Sequence, residues 1–186
     1  MTLDDILANT DSMDSSFRKA LKLVLQWEVA LEADGRTIRW ENVVNDHGGA
    51  TFAGLTKIDD DIEDDPSPLR IASVYHETYW RPFAGIPDPV RQCAFVQGVN
   101  QGVRISVRNL QSALNDFGAR LVVDGALGDA TRNAAMGCPD AKGLATAFLQ
   151  KSRRRYEAII AGNAKLEGFR EGWMNRLAAC QADLIG

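Results

Sequence analysis

Apolar positions recur at helical spacing over most of the chain. Phe17, Leu21 and Val24 stand at i, i+4 and i+7, the stripe of an amphipathic helix. Asp14-Ser15-Ser16 precedes them as an N-cap. This predicts a helix over about 17–31, broken by Gly35. The pattern then changes. Thr37 to Val44 is rich in β-branched and aromatic residues and reads as a short strand or hairpin; Asn45 to Gly49 is a turn by composition, and 50–56 is a possible returning strand. After Pro66-Ser67-Pro68 the helical period returns, predicting helices over about 69–80, 88–101, 103–117, 129–136, 140–162 and 167–184. Arg81-Pro82 closes the first of these, and a turn region with two glycines, Leu121 to Gly128, precedes 129–136. Residues 1–13 read as a mobile or loosely docked leader. The expected fold class is mainly α (α+β), a helical bundle with one small β-hairpin element in the N-terminal third.

Composition narrows the function classes. The 186 residues suffice for one domain, or two small closely packed ones, with a real core. Hydrophobic content of 45% and charged content of 25% are those of an ordinary globular protein. No apolar run approaches the ~20 residues of a membrane span, so no stable membrane insertion is expected. The N-terminal stretch is acidic and polar rather than basic then apolar, which is not a secretory signal. A net charge of −4 argues against nucleic acid as the main partner. Cys93, Cys138 and Cys180 are odd in number and far apart, which suits a chain made in a reducing compartment rather than a disulfide framework. The acidic run Asp59 to Asp65 lacks the glycine and alternating spacing of a calcium loop and reads as a solvated turn. His76-Glu77 opens like a zinc-hydrolase helix but has no second histidine after it. Neither a nucleophile-elbow serine nor a phosphate-binding glycine loop is present. No metal and no cofactor are expected.

One position carries more chemistry than the rest. Glu28 continues the stripe of Phe17, Leu21 and Val24 at i+11. A carboxylate on the core-facing side costs free energy unless it is paired or protonated, and burial raises a carboxyl pKa toward what a general acid needs. The bland reading is that a helix end meets solvent and Glu28 is its first exposed residue. Trp40 likewise admits two roles, stacking on a sugar ring or capping the core. Gln97 and Asn100, on the helix before Gly102, are candidates to line a binding cleft, although Asn before Gly also ends helices for structural reasons.

The order of motifs decides between these readings. Phe17 to Glu28, then Asp46-His47-Gly48-Gly49-Ala50-Thr51-Phe52-Ala53-Gly54-Leu55-Thr56, resembles glycoside hydrolase family 108, lysozyme-like N-acetylmuramidases of phage endolysins and bacterial secretion-activating proteins. Tyr79-Trp80, Asn100-Gln101-Gly102 and Leu110-Gln111-Ser112-Ala113-Leu114 follow in the family's order. So do Asp124-Gly125-Ala126-Leu127-Gly128-Asp129-Ala130-Thr131, like the associated C-terminal peptidoglycan-binding-type region, and Gly172-Trp173-Met174-Asn175-Arg176.

The resemblance implies a lysozyme-like fold with a catalytic part over 14–102 and a helical peptidoglycan-binding-type part over 103–186. It implies hydrolysis of the bond between N-acetylmuramic acid and N-acetylglucosamine in bacterial peptidoglycan. Glu28 would be the general acid, Asp46 would stabilise cationic charge or position water, and Thr51 would hold that water or a sugar hydroxyl. Asp46 also reads as an Asx-turn residue, Thr51 as an ordinary strand threonine and Asp124-Gly125 as a turn. The chain departs from the family at Val29-Ala30, where two glycines are expected. It departs again in the added segment Arg36 to Val44. The first departure predicts that the helix runs on for another turn past Glu28. It also keeps open a non-catalytic cell-wall-binding or structural protein of the same fold; a glycosidase for another amino-sugar polymer is a further rival. Without a signal peptide, the protein would be made in the cytoplasm and reach the wall after release or by non-standard export.

Overall fold

The computed structural model describes residues 1–10, 13–42, 50–56 and 60–186, which form two compact units, 1–78 and 79–186. The fold class is the expected one: mainly α, with eight α-helices among the described residues and one small antiparallel sheet.

In the first unit, α1 (Leu3–Ala8) starts on a capping box in which the Thr2 hydroxyl accepts from the Asp5 N–H and the Asp5 carboxylate accepts from the Thr2 N–H. Ile6 and Leu7 are buried. This part of the stretch read as a loose leader therefore belongs to the core. Helix α2 (Ser15–Glu28) is capped by the Asp14 side chain, as the sequence implies, and buries Phe17, Ala20, Leu21, Leu23, Val24 and Leu25. Helix α3 (Pro68–Val74) is capped by Ser67 and closes over the same core with Ile71. The helix expected over 69–80 is broken after α3 into a wider π-turn, Tyr75–Trp80, and a 3-10 turn, Arg81–Phe83.

Helix α2 stops at Glu28, with Val29 extended (φ −101°, ψ 123°). The extra turn predicted from Val29-Ala30 does not form. The reason is a competing partner for the backbone: the Arg39 N–H donates to Ala30 O at 3.0 Å, the Glu32 N–H donates to Thr37 O at 2.7 Å, and Leu31 bridges Ile38. The added segment thus takes up the groups that a further helical turn would have used, and in a β-branched residue such as Val29 the extended form is the easier one. The leader joins this pairing, since the Ile38 N–H donates to Met1 O at 2.9 Å and Thr2 bridges Thr37.

The turn of this hairpin is tied by Asp34. Its carboxylate accepts from the Thr37 hydroxyl at 2.6 Å and from the N–H groups of Thr37 and Arg36, each at 2.8 Å. These bonds, the Thr37 hydroxyl first, hold its carboxyl down at about 2. A carboxyl depressed in the folded state contributes its stabilisation above the unfolded value near 3.8 and loses it as pH falls through about 2. The Arg36 and Thr37 amide resonances are therefore expected to hold steady at neutral pH and to shift together as pH falls across that window. In Asp34→Ala they should already occupy the shifted positions at neutral pH. Resonances that ignore this acidification would contradict the assigned bonds.

The sheet has the order β1 (Trp40–Asn42), β2 (Ala50–Phe52), β3 (Leu55–Thr56), all antiparallel. The segment 50–56, read as one returning strand, is instead two, because Ala53 and Gly54 both take positive φ (52° and 77°) and make a two-residue hairpin turn. In the acidic run, the described residues form a surface turn in which the Arg70 guanidinium donates to Asp61 O at 2.8 Å and approaches the Glu63 carboxylate at 3.5 Å.

The second unit holds α4 (Val90–Gln101), α5 (Val103–Asp116), α6 (Asp129–Met136), α7 (Ala141–Gly162) and α8 (Arg170–Cys180). Helices α4, α5 and α7 pack together around Phe95, Leu110, Phe148 and Tyr156. The final helix expected over 167–184 is shorter, framed by a 3-10 segment, Ala164–Phe169, and a closing π-turn, Gln181–Ile185. Among the described residues no helix is long and apolar enough to cross a membrane. All three cysteines are free thiols.

Candidate functional site

Glu28 is the last helical residue of α2 and is half-buried. Its stripe therefore carries it toward the core while the end of the helix leaves it reachable from solvent, which reconciles the two readings of its position. Its stem rests on the tip of the β2–β3 hairpin. A Cβ placed on Gly54 would lie 2.5 Å from Glu28 Cβ, 3.3 Å from Glu28 Cγ and 2.8 Å from the Tyr75 hydroxyl. Only a residue without a side chain fits there, and its φ of +77° independently favours glycine. The Tyr75 hydroxyl, fully buried, donates to Ala53 O at 2.6 Å and pins the same turn from below. Helix end, hairpin tip and tyrosine thus fix the Glu28 side chain at its root. The sequence places Gly54 within a motif but marks neither it nor Tyr75 as a site residue. For Gly54 the Ala-Gly pair between strand-like residues was the available signal, whereas Tyr75 carried none.

Thr51 lies on β2, half-buried, opposite Thr56 on one side and Glu41 on the other. Its hydroxyl faces Glu41 O at 3.5 Å. Trp40 packs its ring on Phe52 at 5.2 Å, and its indole N–H donates to Asp64 O at 3.2 Å. Both polar and apolar parts of Trp40 are thus engaged within the unit. Asp46, with the turn 45–49 and His47, lies outside the described residues. Among the described residues no group of three or more His, Cys, Asp or Glu could hold a metal ion.

In the second unit, Gln97 and Asn100 meet on one partner. The Tyr156 hydroxyl bonds to the side-chain oxygens of both. Gln97 is fully buried, accepts a second bond from the Gln101 amide at 2.9 Å and faces Cys180 Sγ with its own amide. Asn100 is half-buried. The pair joins α4 to α7, and Tyr156 in turn stacks on Trp173 at 4.7 Å.

Asp124-Gly125 builds a turn. Gln111, buried on α5, donates to the Asp124 carboxylate at 2.8 Å and to Ala126 O at 3.0 Å, and accepts from the Gly125 N–H at 2.9 Å. The Ala126 N–H, followed by the Gln111 amide, holds the Asp124 carboxyl below its ordinary value. Removing a buried amide strands its partners, each at about 1–3 kcal/mol when they stay dry. Gln111→Leu is expected to lower stability by about 2–3 kcal/mol in urea denaturation and to speed amide exchange at Gly125 and Ala126. Unchanged exchange there would show that the turn stands without Gln111.

Fold and residues together describe a mainly α protein with one small antiparallel sheet and a half-buried glutamate at a helix end. Residues 105–178 match the family described as "Predicted Peptidoglycan domain", which connects the second unit with peptidoglycan. The chain is also similar to the solved structure of SagA from Brucella abortus, with 21% identity, 90% of this chain and 92% of that chain covered, and a TM-score of 0.68. That likeness is one of fold. Comparison with curated proteins gives no match.

Proposed function

We propose that the protein is a peptidoglycan hydrolase that cleaves the β-1,4 bond between N-acetylmuramic acid and N-acetylglucosamine, with Glu28 as general acid. The observation that carries this reading is the seat of Glu28: a half-buried glutamate at a helix end, its stem resting on a hairpin tip where only glycine fits. A carboxyl held in one place beside the scissile oxygen is what acid catalysis of glycoside cleavage requires. The peptidoglycan-type match over 105–178 supports the polymer as substrate.

In the proposed reaction the Glu28 carboxyl gives its proton to the glycosidic oxygen as the bond to the anomeric carbon breaks. Water then supplies the hydroxyl at that carbon and returns a proton. Asp46 would stabilise the positive charge at the anomeric carbon or align that water, with Thr51 as a further contact to water or sugar. Trp40, Gln97 and Asn100 remain candidate substrate contacts, each of them already bonded within the protein. The site of action would be the cell wall, after synthesis in the cytoplasm.

The test is digestion of purified sacculi, with the released fragments analysed by mass spectrometry after borohydride reduction. Muropeptides ending in reduced N-acetylmuramic acid are expected. Fragments ending in N-acetylglucosamine would reassign the cleaved bond, and digestion of chitin alone would reassign the polymer. Binding to sacculi with no fragments would leave a non-catalytic wall-binding protein.

A further inference from the structure

Helices α5 and α7 present facing stripes that do not close on each other. On α5, Ile105, Arg108, Asn109 and Ser112 follow at i, i+3, i+4 and i+7. On α7, Arg155, Ala158 and Ile159 follow at i, i+3 and i+4. Together with Val123 they line a groove of about 490 Å³. Small residues, Ser112 and Ala158, leave the space between the helices that larger apolar residues would have filled.

The groove's polar groups are of a particular kind. Arg108 and Arg155 are exposed and have no ion-pair partner among the described residues. Arg108 is also held in place: a Cβ on Gly125 would lie 3.1 Å from Arg108 Cγ and 2.7 Å from Arg104 Cγ. The turn that Gln111 locks therefore packs against the stems of both arginines. Asn109 is nearly buried and spends its amide N–H on the Ser152 hydroxyl at 3.2 Å. Its side-chain carbonyl oxygen accepts from no described protein group, and the Ser112 hydroxyl makes no hydrogen bond among the described residues. Ile105, Ile159 and Val123 supply apolar walls.

We propose that this groove binds the acidic stem peptide of peptidoglycan, rather than its glycan. The inference rests on the reading that the second unit engages peptidoglycan. A guanidinium fork matches a carboxylate in two parallel bonds. The Asn109 carbonyl is an acceptor for a peptide N–H, and the apolar walls suit the methyl groups of alanine residues. A sugar offers hydroxyls and ring faces, and the groove has no exposed aromatic ring to stack on them.

The experiment uses the full chain and four probes: the stem tetrapeptide released from sacculi by an amidase, the same peptide with its carboxylates amidated, peptide-free glycan, and inorganic phosphate. Calorimetry on wild type is expected to show binding of the tetrapeptide and little of the other three. Arg108→Ala/Arg155→Ala should weaken that binding by about tenfold or more, each lost charge-assisted bond being worth that much. Arg108→Lys/Arg155→Lys should recover only part of it, because the fork geometry is gone. Arg108→Ala also removes the stem that packs on the Gly125 turn, so the Lys pair, which keeps that stem, is the variant whose melting transition should not move. An Ala variant that binds the tetrapeptide as well as wild type overturns the proposal. So does glycan or phosphate that binds as tightly as the tetrapeptide and displaces it. Sacculus pelleting separates the two levels. A wild type that pellets with sacculi, beside an Ala variant with unchanged peptide affinity, refutes the groove alone. A wild type that binds neither sacculi nor peptide refutes the peptidoglycan reading and this inference with it.

Discussion

Glu28→Gln is expected to release no detectable muropeptides from sacculi that wild type digests, while still pelleting with them. The substitution keeps the shape of the side chain and its packing on Gly54 but removes the acidic proton. Loss of a general acid costs about 10²- to 10⁴-fold in rate, enough to take an endpoint digestion to background. The stem atoms that rest on Gly54 are common to both side chains, so the melting transition should stay where it is. That combination of lost cleavage, kept binding and kept stability is specific to a chemical role. A glutamine variant that still releases reducing-end N-acetylmuramic acid would remove Glu28 from the mechanism.

The second large effect is expected at Gly54→Ala. The new methyl group would arrive 2.5 Å from Glu28 Cβ and 2.8 Å from the Tyr75 hydroxyl, at a φ of +77°. Left-handed backbone costs a residue with a Cβ roughly 1–2 kcal/mol, and forcing extra volume into packed surroundings costs typically about 1–3 kcal/mol. A loss of about 2–5 kcal/mol in chemical denaturation follows. Because the atoms that must yield belong to Glu28 itself, hydrolysis measured well below the melting temperature should fall by about tenfold or more, as displacement of a reacting group does. Ala53→Gly, in the same turn at φ 52°, is the control. It removes left-handed strain together with a buried methyl group and adds no atom against Glu28, so stability should change less than in Gly54→Ala and activity should hold. Equal activity losses in the two variants would mean that the turn matters only as a fold element.

Helix placement was legible in the chain because each helix carries its own periodic stripe and its own end signals. Asp14, Ser67 and Asp140 cap α2, α3 and α7 with their side chains. The expected stretch 129–136 coincides with α6, Asp129–Met136. The misreadings fall where backbone partners come from a distance. Val29-Ala30 carries no breaker, yet the helix ends before it because 37–39 pairs with 30–32. The leader looked unattached because its partners, Thr37 and Ile38, lie more than thirty positions away. The chain 50–56 folds back at Ala53-Gly54, a turn that a run of β-forming residues conceals until the two positive φ values are seen.

The site divides along the same line. Glu28 was legible as a carboxylate out of pattern on an apolar stripe, and the α5 and α7 stripes were legible as helices. What only the tertiary structure decided is what those side chains touch. The Glu28 stem rests on Gly54 beside Tyr75, Gln97 and Asn100 are held by Tyr156, and Arg108 and Arg155 share an open groove. Periodicity is a local property of a chain and reports which way a side chain points. Contact between residues far apart in sequence depends on how the elements pack and on which backbone groups find each other first, and those are decided by the fold as a whole.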